Sequence, residues 1–385
     1  MSRTRVLRGF YSPFSRRRLT TISIGALLSP QTIQTPKTLQ TVSIHPSVNE
    51  EFERIVNSFD APIDVAIAYG SGVFSQKGYD KKKKPMLDFI FGVKDPYQWH
   101  SVNVKQNPKH YSFLKYFGSR SISYLQESVG TGVYYNPFVR MGGSVIKYGV
   151  TSLHNLYDDL LHWSTLYLAG RLHKPTKIIR APDEFFEFNH KNLESALYAA
   201  LPFLSEKFQE AELYSTIASL SYLGDVRMSA MAENPQKVKN IVAAQFPLFR
   251  KLYLPLIHQV GNIRADNAEQ LNDLACADTS KQLQFRHDKN ANACLSSIMK
   301  LPKQFQRQVL RQYSKSGDTA VVLKILAQES TAQRRNRCKR AVHKLTGFSI
   351  LMQTIKGLLT AGFAKSFIYV LEKLKKGPLG KLLKK

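Results

Sequence analysis

Polar and apolar residues fall into two kinds of block along this chain. Up to about residue 180, short apolar runs alternate with turn-forming residues; beyond it, apolar residues recur at helical spacing. Val65-Ala66-Ile67-Ala68-Tyr69 is an apolar run ending in Gly70-Ser71-Gly72, which predicts a buried strand feeding a tight turn. Pro85 to Val93 is a second buried-strand pattern with one carboxylate, Asp88, and Ser144 to Val150 is a third with Lys147 inside it. Glu50 to Val56 reads as a short amphipathic helix, and Leu156, Leu160, Leu161, Trp163, Leu166 and Tyr167 predict a helix over His154 to Ala169. A boundary falls at Arg180-Ala181-Pro182, after which Leu193 to Phe203, Ala211 to Leu223 and Pro235 to Phe246 are helical. Residues 263–315 read only as helical pieces joined by polar loops. The predicted fold class is α+β, with a mixed-sheet domain over 50–180 and a mainly helical domain over 181–345.

Composition narrows the partners. Hydrophobic residues make up 43% of the 385 and aromatics 11%, enough for a packed core. The formal charge is +27, which implies acidic partners: nucleotide phosphates, an anionic lipid surface or nucleic acid. Met1 to Asn49 holds no Asp or Glu but seven Lys and Arg and many Ser and Thr, the composition of a mitochondrial presequence. A disordered basic tail would share that composition. Without those seven, 48 basic residues still face 28 acidic ones. Cys276, Cys294 and Cys338 form no CxxC or Cys/His pattern, so they read as incidental thiols. No apolar run approaches the roughly 18 residues of a spanning helix.

The chemistry-bearing residues cluster around the predicted strands. A Gly-Ser-Gly turn lets the backbone approach a phosphate closely, although alone it is an ordinary turn. Asp88 is a lone charge in an apolar strand, costly unless it is paired or binds a metal. Strand, Gly-Ser turn and a next strand carrying Asp form the outline of the nucleotidyltransferase fold, in which the turn holds a triphosphate and acidic residues hold Mg²⁺. Lys147, and Arg171, His173 and Lys174 in Leu168 to Pro175, supply cations for phosphate charge. Lys147 could equally be a snorkelling surface lysine.

A longer ordered series carries a family resemblance. It runs through Tyr69-Gly70-Ser71-Gly72-Val73-Phe74, Asp88 with Gly92-Val93, Trp99-His100 with Asn103, Lys115-Tyr116-Phe117-Gly118-Ser119, Asn136-Pro137-Phe138, Lys147-Tyr148-Gly149-Val150, Leu168-Ala169-Gly170-Arg171 with Lys174-Pro175, and Gly224-Asp225-Val226-Arg227. In these residues the chain resembles the mitochondrial phosphatidate cytidylyltransferases. The resemblance implies a nucleotidyltransferase domain followed by a winged-helix-like one, with the active site between them. It implies CTP and phosphatidic acid as substrates, Mg²⁺ as cofactor, and peripheral attachment to the matrix face of the mitochondrial inner membrane, upstream of cardiolipin synthesis. Gly70, Ser71 and Gly72, with Lys147, Arg171 and Lys174, are then expected at the nucleotide, and Asp88 at the metal. The wider superfamily pairs two carboxylates two residues apart, whereas Asp88 is followed by Phe89-Ile90. Asp225 is the candidate second ligand, Asp158 and Asp159 lesser ones; Asp225 could equally cap a helix or pair with Arg227.

The last segment, 346–385, combines Ile355, Leu358, Leu359, Phe363, Phe367 and Leu371 with Lys356, Lys365, Lys373, Lys375 and Lys376. That pattern predicts an amphipathic helix lying on an anionic bilayer, or else one packed on the core. Arg334, Arg335, Arg337, Lys339, Arg340 and Lys344 form a second basic cluster. Two other functions fit the composition: a nucleotidyltransferase acting on RNA, and a non-enzymatic membrane-associated assembly factor. No recognised RNA-binding module is found, so no nucleic-acid partner is expected.

Overall fold

A five-stranded mixed sheet organises the first half of the chain, in the order β3-β4-β2-β1-β5. The structure is a computed structural model that describes residues 35–74, 85–223, 236–260, 262–266, 282–315 and 318–361. Helices α1 (Pro36–Gln40) and α2 (Pro46–Asn57) lead into β1 (Val65–Tyr69) and β2 (Leu87–Val93). Next come α3 (Pro96–Gln106), 3-10 turns at Pro108–His110 and Phe113–Phe117, and α4 (Gly118–Ser128). Strands β3 (Val133–Met141) and β4 (Ser144–Ser152), helices α5 (Leu153–His162) and α6 (Ala169–Leu172), and β5 (Lys177–Arg180) complete this half. β1 runs antiparallel to β2 and β5, β2 parallel to β4, and β3 antiparallel to β4.

The three predicted strands are the three inner ones, and their sequences read as apolar because both faces of the sheet are covered. Phe89, Phe91, Tyr148 and Val150 face Phe52, Ile55 and Trp99 of α2 and α3. Val65, Ile67 and Ile90 face Leu156, Leu160 and Leu168 and share one core with the helical half.

That half contains α7 (Asp183–Ala200), β6 (Lys207–Gln209), α8 (Glu210–Leu220), α9 (Lys237–Gln259), β7 (Ile263–Ala265), β8 (Gln284–His287), α10 (Ala291–Met299), α11 (Lys303–Leu310), α12 (Thr319–Gln328) and α13 (Thr331–Ala361). β6, β8 and β7 form a small antiparallel sheet, absent from the sequence reading because strands of three or four residues are too short to display alternation. It absorbs part of the opaque stretch 263–315. The Glu210 carboxylate, fully buried, takes two bonds from Arg250 (2.7 and 2.8 Å) and one from the Tyr214 hydroxyl (2.7 Å), tying α8 to α9.

Three expectations change. The helix predicted over His154 to Ala169 stops at His162, because Trp163 adopts left-handed backbone (φ 53°) and the chain then wraps around Asp159. Of the expected presequence 1–49, residues 1–34 lie outside the described residues; from residue 35 the chain is folded onto the body, with Leu39 and Val42 buried and Gln40 bonded to Phe186 O and Asn189. Of the expected tail 346–385, residues 362–385 lie outside the described residues, and Lys356 faces inward rather than toward lipid. Its ammonium, fully buried, donates to Gln126 O (3.1 Å) and Val129 O (2.5 Å), neutralising carbonyls at the C-terminal end of α4. Burial pushes its pKa down to about 7, although Glu127 opposes the shift. The second basic cluster is partly structural too: Arg334 donates to Leu326 O and Lys289 O, and Arg337 pairs with Glu329 at 2.5 Å. Among the described residues no helix is long and apolar enough to cross a membrane.

Candidate active site

Strand pairing sets three residues side by side at one end of the sheet. Tyr69 is the partner of Asp88 across the β1–β2 pair, and Asp88 is the partner of Lys147 across the β2–β4 pair. Residues in register point to the same face, so the three side chains share the face that the helical half covers. Each is half-buried: Tyr69 closes β1 and Asp88 is the second residue of β2, while Lys147 is the fourth residue of β4, just after its exposed start at Val145, so all three keep access to solvent that the fully buried remainder of these strands lacks.

The glycine turn sits directly above this row. Gly70 has φ +83°, and a methyl group on it would stand 3.3 Å from Asp88 Oδ2. A side chain at Gly70 would therefore crowd the carboxylate, and its absence leaves the turn backbone facing Asp88 directly. Val73 N and Phe74 N both donate to Gly70 O at 3.2 Å, closing residues 70–74 into one helical turn. Gly72 has no room for a side chain either: its Cβ would meet Met86 O at 2.7 Å.

Further cations stand on the same face, among the rings of Tyr69, Tyr135 and Tyr167. The Arg171 guanidinium lies 3.7 Å from the Tyr167 ring centre and 5.9 Å from that of Tyr69, and it donates to Tyr167 O at 2.5 Å. Lys147 Nζ lies 4.4 Å over the Tyr135 ring. Burial, the nearby Asp88 carboxylate and Tyr167 raise the Tyr69 pKa, against Lys147 and Arg171, so its hydroxyl stays a neutral donor. Lys174 donates to Gly170 O and to Ser221 Oγ (3.0 Å), and its ammonium shares the Tyr222 ring with Lys237, at 5.4 and 5.1 Å. Burial first, then Arg171 and Lys237, push the Lys174 pKa down to about 7. Among the described residues neither Arg171 nor Lys174 forms an ion pair with a carboxylate. Cations so arranged are costly until an anion joins them.

A buried carboxylate holds these cations in place. Asp159 accepts from Thr165 N (2.7 Å), Leu166 N (2.7 Å), Thr165 Oγ1 (3.0 Å) and Ser164 Oγ (3.3 Å) on Oδ1, and from Leu168 N (2.8 Å) and Ala169 N (3.0 Å) on Oδ2. The loop folded by these bonds delivers Tyr167 and starts α6, which carries Arg171. Asp159, a lesser metal candidate from sequence, is thereby committed to backbone. His173 is likewise removed from the phosphate-facing set: its ring is buried against Asn192 (3.0 Å), and burial, then Lys174, lower its pKa to about 3. Gly170 meets Ser221 so closely that a Cβ would lie 2.6 Å away, which brings the end of α8 onto Lys174.

The structure thus brings Gly70, Gly72, Asp88 and Lys147 together, with Ser71 half-buried in the same turn, sets Arg171 beside Tyr69 and Tyr167, and sets Lys174 against Ser221 and Tyr222. Asp225 lies outside the described residues. Sequence reasoning missed Tyr69, Tyr135, Tyr167, Tyr222 and Lys237; only Tyr69, adjoining the glycine turn, carried a local signal. Among the described residues no three His, Cys, Asp or Glu side chains gather as a metal site. The arrangement is suited to a polyphosphate: a backbone turn, one carboxylate and several cations at the end of a mixed sheet, the architecture of the nucleotidyltransferase class.

Comparison with known proteins makes this specific. The family described as "Phosphatidate cytidylyltransferase, mitochondrial" matches residues 52–376. A relative of that description from Schizosaccharomyces pombe is 47% identical over 344 residues, covering 89% of this chain and 87% of its own. One from Xenopus laevis is 40% identical over 331 residues, covering 85% and 94%. One from Saccharomyces cerevisiae is 43% identical over 226 residues, covering 57% and 58%. A solved structure described as a nucleotidyltransferase-like protein from Exiguobacterium sibiricum matches at 10% identity over 87% of this chain and 89% of its own, with a TM-score of 0.22, too loose a superposition to bear on the fold. The chain belongs to the mitochondrial phosphatidate cytidylyltransferase family.

Proposed function

We propose that the chain transfers the cytidylyl group of CTP to phosphatidic acid, giving CDP-diacylglycerol and pyrophosphate. The observation that carries this reading is the approach of the Gly70 backbone to Asp88 Oδ2, with Lys147 in register beside it. Gly70, Ser71 and Gly72 cradle the CTP phosphates. A phosphate oxygen of phosphatidic acid attacks the α-phosphorus; the bond from that phosphorus to the bridging oxygen breaks, and pyrophosphate departs with the electron pair. Lys147, Arg171 and Lys174 offset the charge that builds on it. The attacking phosphate is already anionic, so alignment and charge stabilisation do most of the work, with no general base.

Magnesium suits this donor set, because it accepts one or two carboxylates and takes its remaining ligands from phosphate oxygens and water. Asp88 would hold it, with Asp225 as the proposed second carboxylate, and it would supply charge neutralisation on the triphosphate. Ser221 and Tyr222, already against Lys174, lead toward Asp225 in the chain. We further propose the small β6-β8-β7 sheet as part of a winged-helix-like domain over 181–345, the part of the expected presequence 1–49 that precedes α1 as mitochondrial address, and the segment 346–385 as a membrane tail on the matrix face of the inner membrane.

The test is one incubation of the protein with CTP labelled at the α-phosphorus, Mg²⁺ and phosphatidic acid vesicles. Label in CDP-diacylglycerol is the expected result. A protein that binds CTP but leaves all label water-soluble would refute the transfer, and one that binds no CTP would favour the assembly-factor reading.

A further inference from the structure

Between Asp95 and Glu127 the chain has no acidic residue. That stretch folds as α3, the two 3-10 turns and α4, and it turns an unusual set of rings to solvent. Tyr116 is 81% exposed, Tyr124 70% and Phe117 65%, with Phe113 and Tyr97 also exposed. The Phe113 and Phe117 rings meet edge to face at 6.3 Å, so they form one ridge rather than isolated side chains. Cations border it: Lys115 Nζ lies 5.2 Å over Tyr116, the Arg120 guanidinium 6.0 Å over Tyr97, and Lys105 and Lys109 are exposed.

The last turns of α13 are fixed beside this ridge, and with inverted polarity. Ser112 Oγ donates to Leu359 O at 3.0 Å. Gln353 accepts from Thr131 Oγ1 (2.8 Å) and donates to Val133 O (3.1 Å), while Lys356 caps the end of α4. Gln353, Lys356 and Thr360 thus face the protein, and Leu351, Ile355 and Leu359, spaced four apart, face outward at 47, 46 and 39% exposure. A helix with its polar side buried and its apolar side in water is at odds with an aqueous setting.

We propose that the Phe113–Phe117 turn and Tyr124 form a platform that seats the folded body on an anionic bilayer, beside the outward face of α13, which belongs to the C-terminal segment 346–385 already read as membrane-binding. Phe and Tyr are suited to the headgroup region, where rings bury while hydroxyls stay wet, and lysine and arginine at the rim meet anionic headgroups. The charge decides between occupants. A second copy of this chain would set the same acid-free, cationic stretch against itself, whereas an anionic lipid surface complements it. The inference deepens the proposed function, because it names the surface that carries the site to its lipid.

The experiment compares the full chain with a Phe113→Ser, Tyr116→Ser, Phe117→Ser variant and with Lys109→Glu, Arg120→Glu. Flotation is read on vesicles of phosphatidylcholine alone and of phosphatidylcholine mixed with phosphatidylglycerol. These positions are exposed, so melting curves match wild type. The aromatic variant is expected to partition onto anionic vesicles about tenfold more weakly, with turnover on a short-chain, water-soluble phosphatidic acid unchanged. The charge variant loses the preference for anionic over neutral vesicles. Undiminished flotation of the aromatic variant overturns the platform. So does a wild-type dimer that the aromatic variant converts to monomer, since the ridge would then be a contact between copies. Flotation needs no CTP, so absent cytidylyl transfer would count against the proposed activity and not against the platform.

Discussion

Replacing Asp159 by Asn isolates the part of the structure that holds the cations. The change keeps size and shape but turns one carboxylate oxygen into an NH₂ group. The less costly orientation keeps the oxygen at Oδ1, with its four donors, and sets the NH₂ against Leu168 N and Ala169 N. Two buried N–H groups then lose their acceptor, at about 1–3 kcal/mol each, so the expected loss is roughly 2–6 kcal/mol. Against a typical total of 5–15 kcal/mol that is severe, and at about 2–4 °C per kcal/mol it lowers the melting temperature by on the order of 10 °C. The two tryptophans lie on opposite faces of the sheet, and Trp163 opens the affected loop, so a thermal melt followed by fluorescence reports it. Because the loop delivers Arg171, KM for CTP should also rise at temperatures where the variant remains folded. Melting within about 1 °C of wild type would refute the reasoning, since it would mean that the loop does not depend on this carboxylate.

Gly70→Ala puts a methyl 3.3 Å from Asp88 Oδ2 on a left-handed backbone, costing roughly 1–2 kcal/mol; a melt should fall by a few degrees while turnover drops far more, and unchanged turnover would remove the turn from the site. Lys174→Met deletes a half-buried ammonium that no carboxylate pairs among the described residues, so it should raise the melting temperature of the nucleotide-free protein while weakening CTP binding by about tenfold or more. The folded pKa of Lys174 lies below its unfolded value, so its burial penalty is absent above the unfolded pKa and grows as pH falls toward about 7. Phosphate binding should return the proton, and calorimetry at pH 8 in buffers of different ionisation enthalpy should show uptake of about one proton that Lys174→Met abolishes.

The parts of the site that could be read from sequence are those whose physics is local. β1, β2 and β4 stood out because both faces of the sheet are covered, and Asp88 and Lys147 stood out as charges inside apolar runs. What could not be read depends on pairing across distance. Tyr69, Asp88 and Lys147 become neighbours only through register, and β2 lies beside β4 although β3 comes between them in the chain. Leu156 to Tyr167 keeps helical spacing past His162 because the residues after the turn are buried as well, now by loop. Lys356 looked like a lipid-facing lysine because nothing nearby in sequence reveals the carbonyls of α4 that it caps.

Cytidylyl transfer by Asp88→Asn is the most direct test of the row at the sheet end. The variant keeps the strand and the Gly70 contact, so circular dichroism and melting should match wild type, while formation of labelled CDP-diacylglycerol from CTP, Mg²⁺ and phosphatidic acid should fall below detection. A folded Asp88→Asn protein that turns over at the wild-type rate would contradict the account.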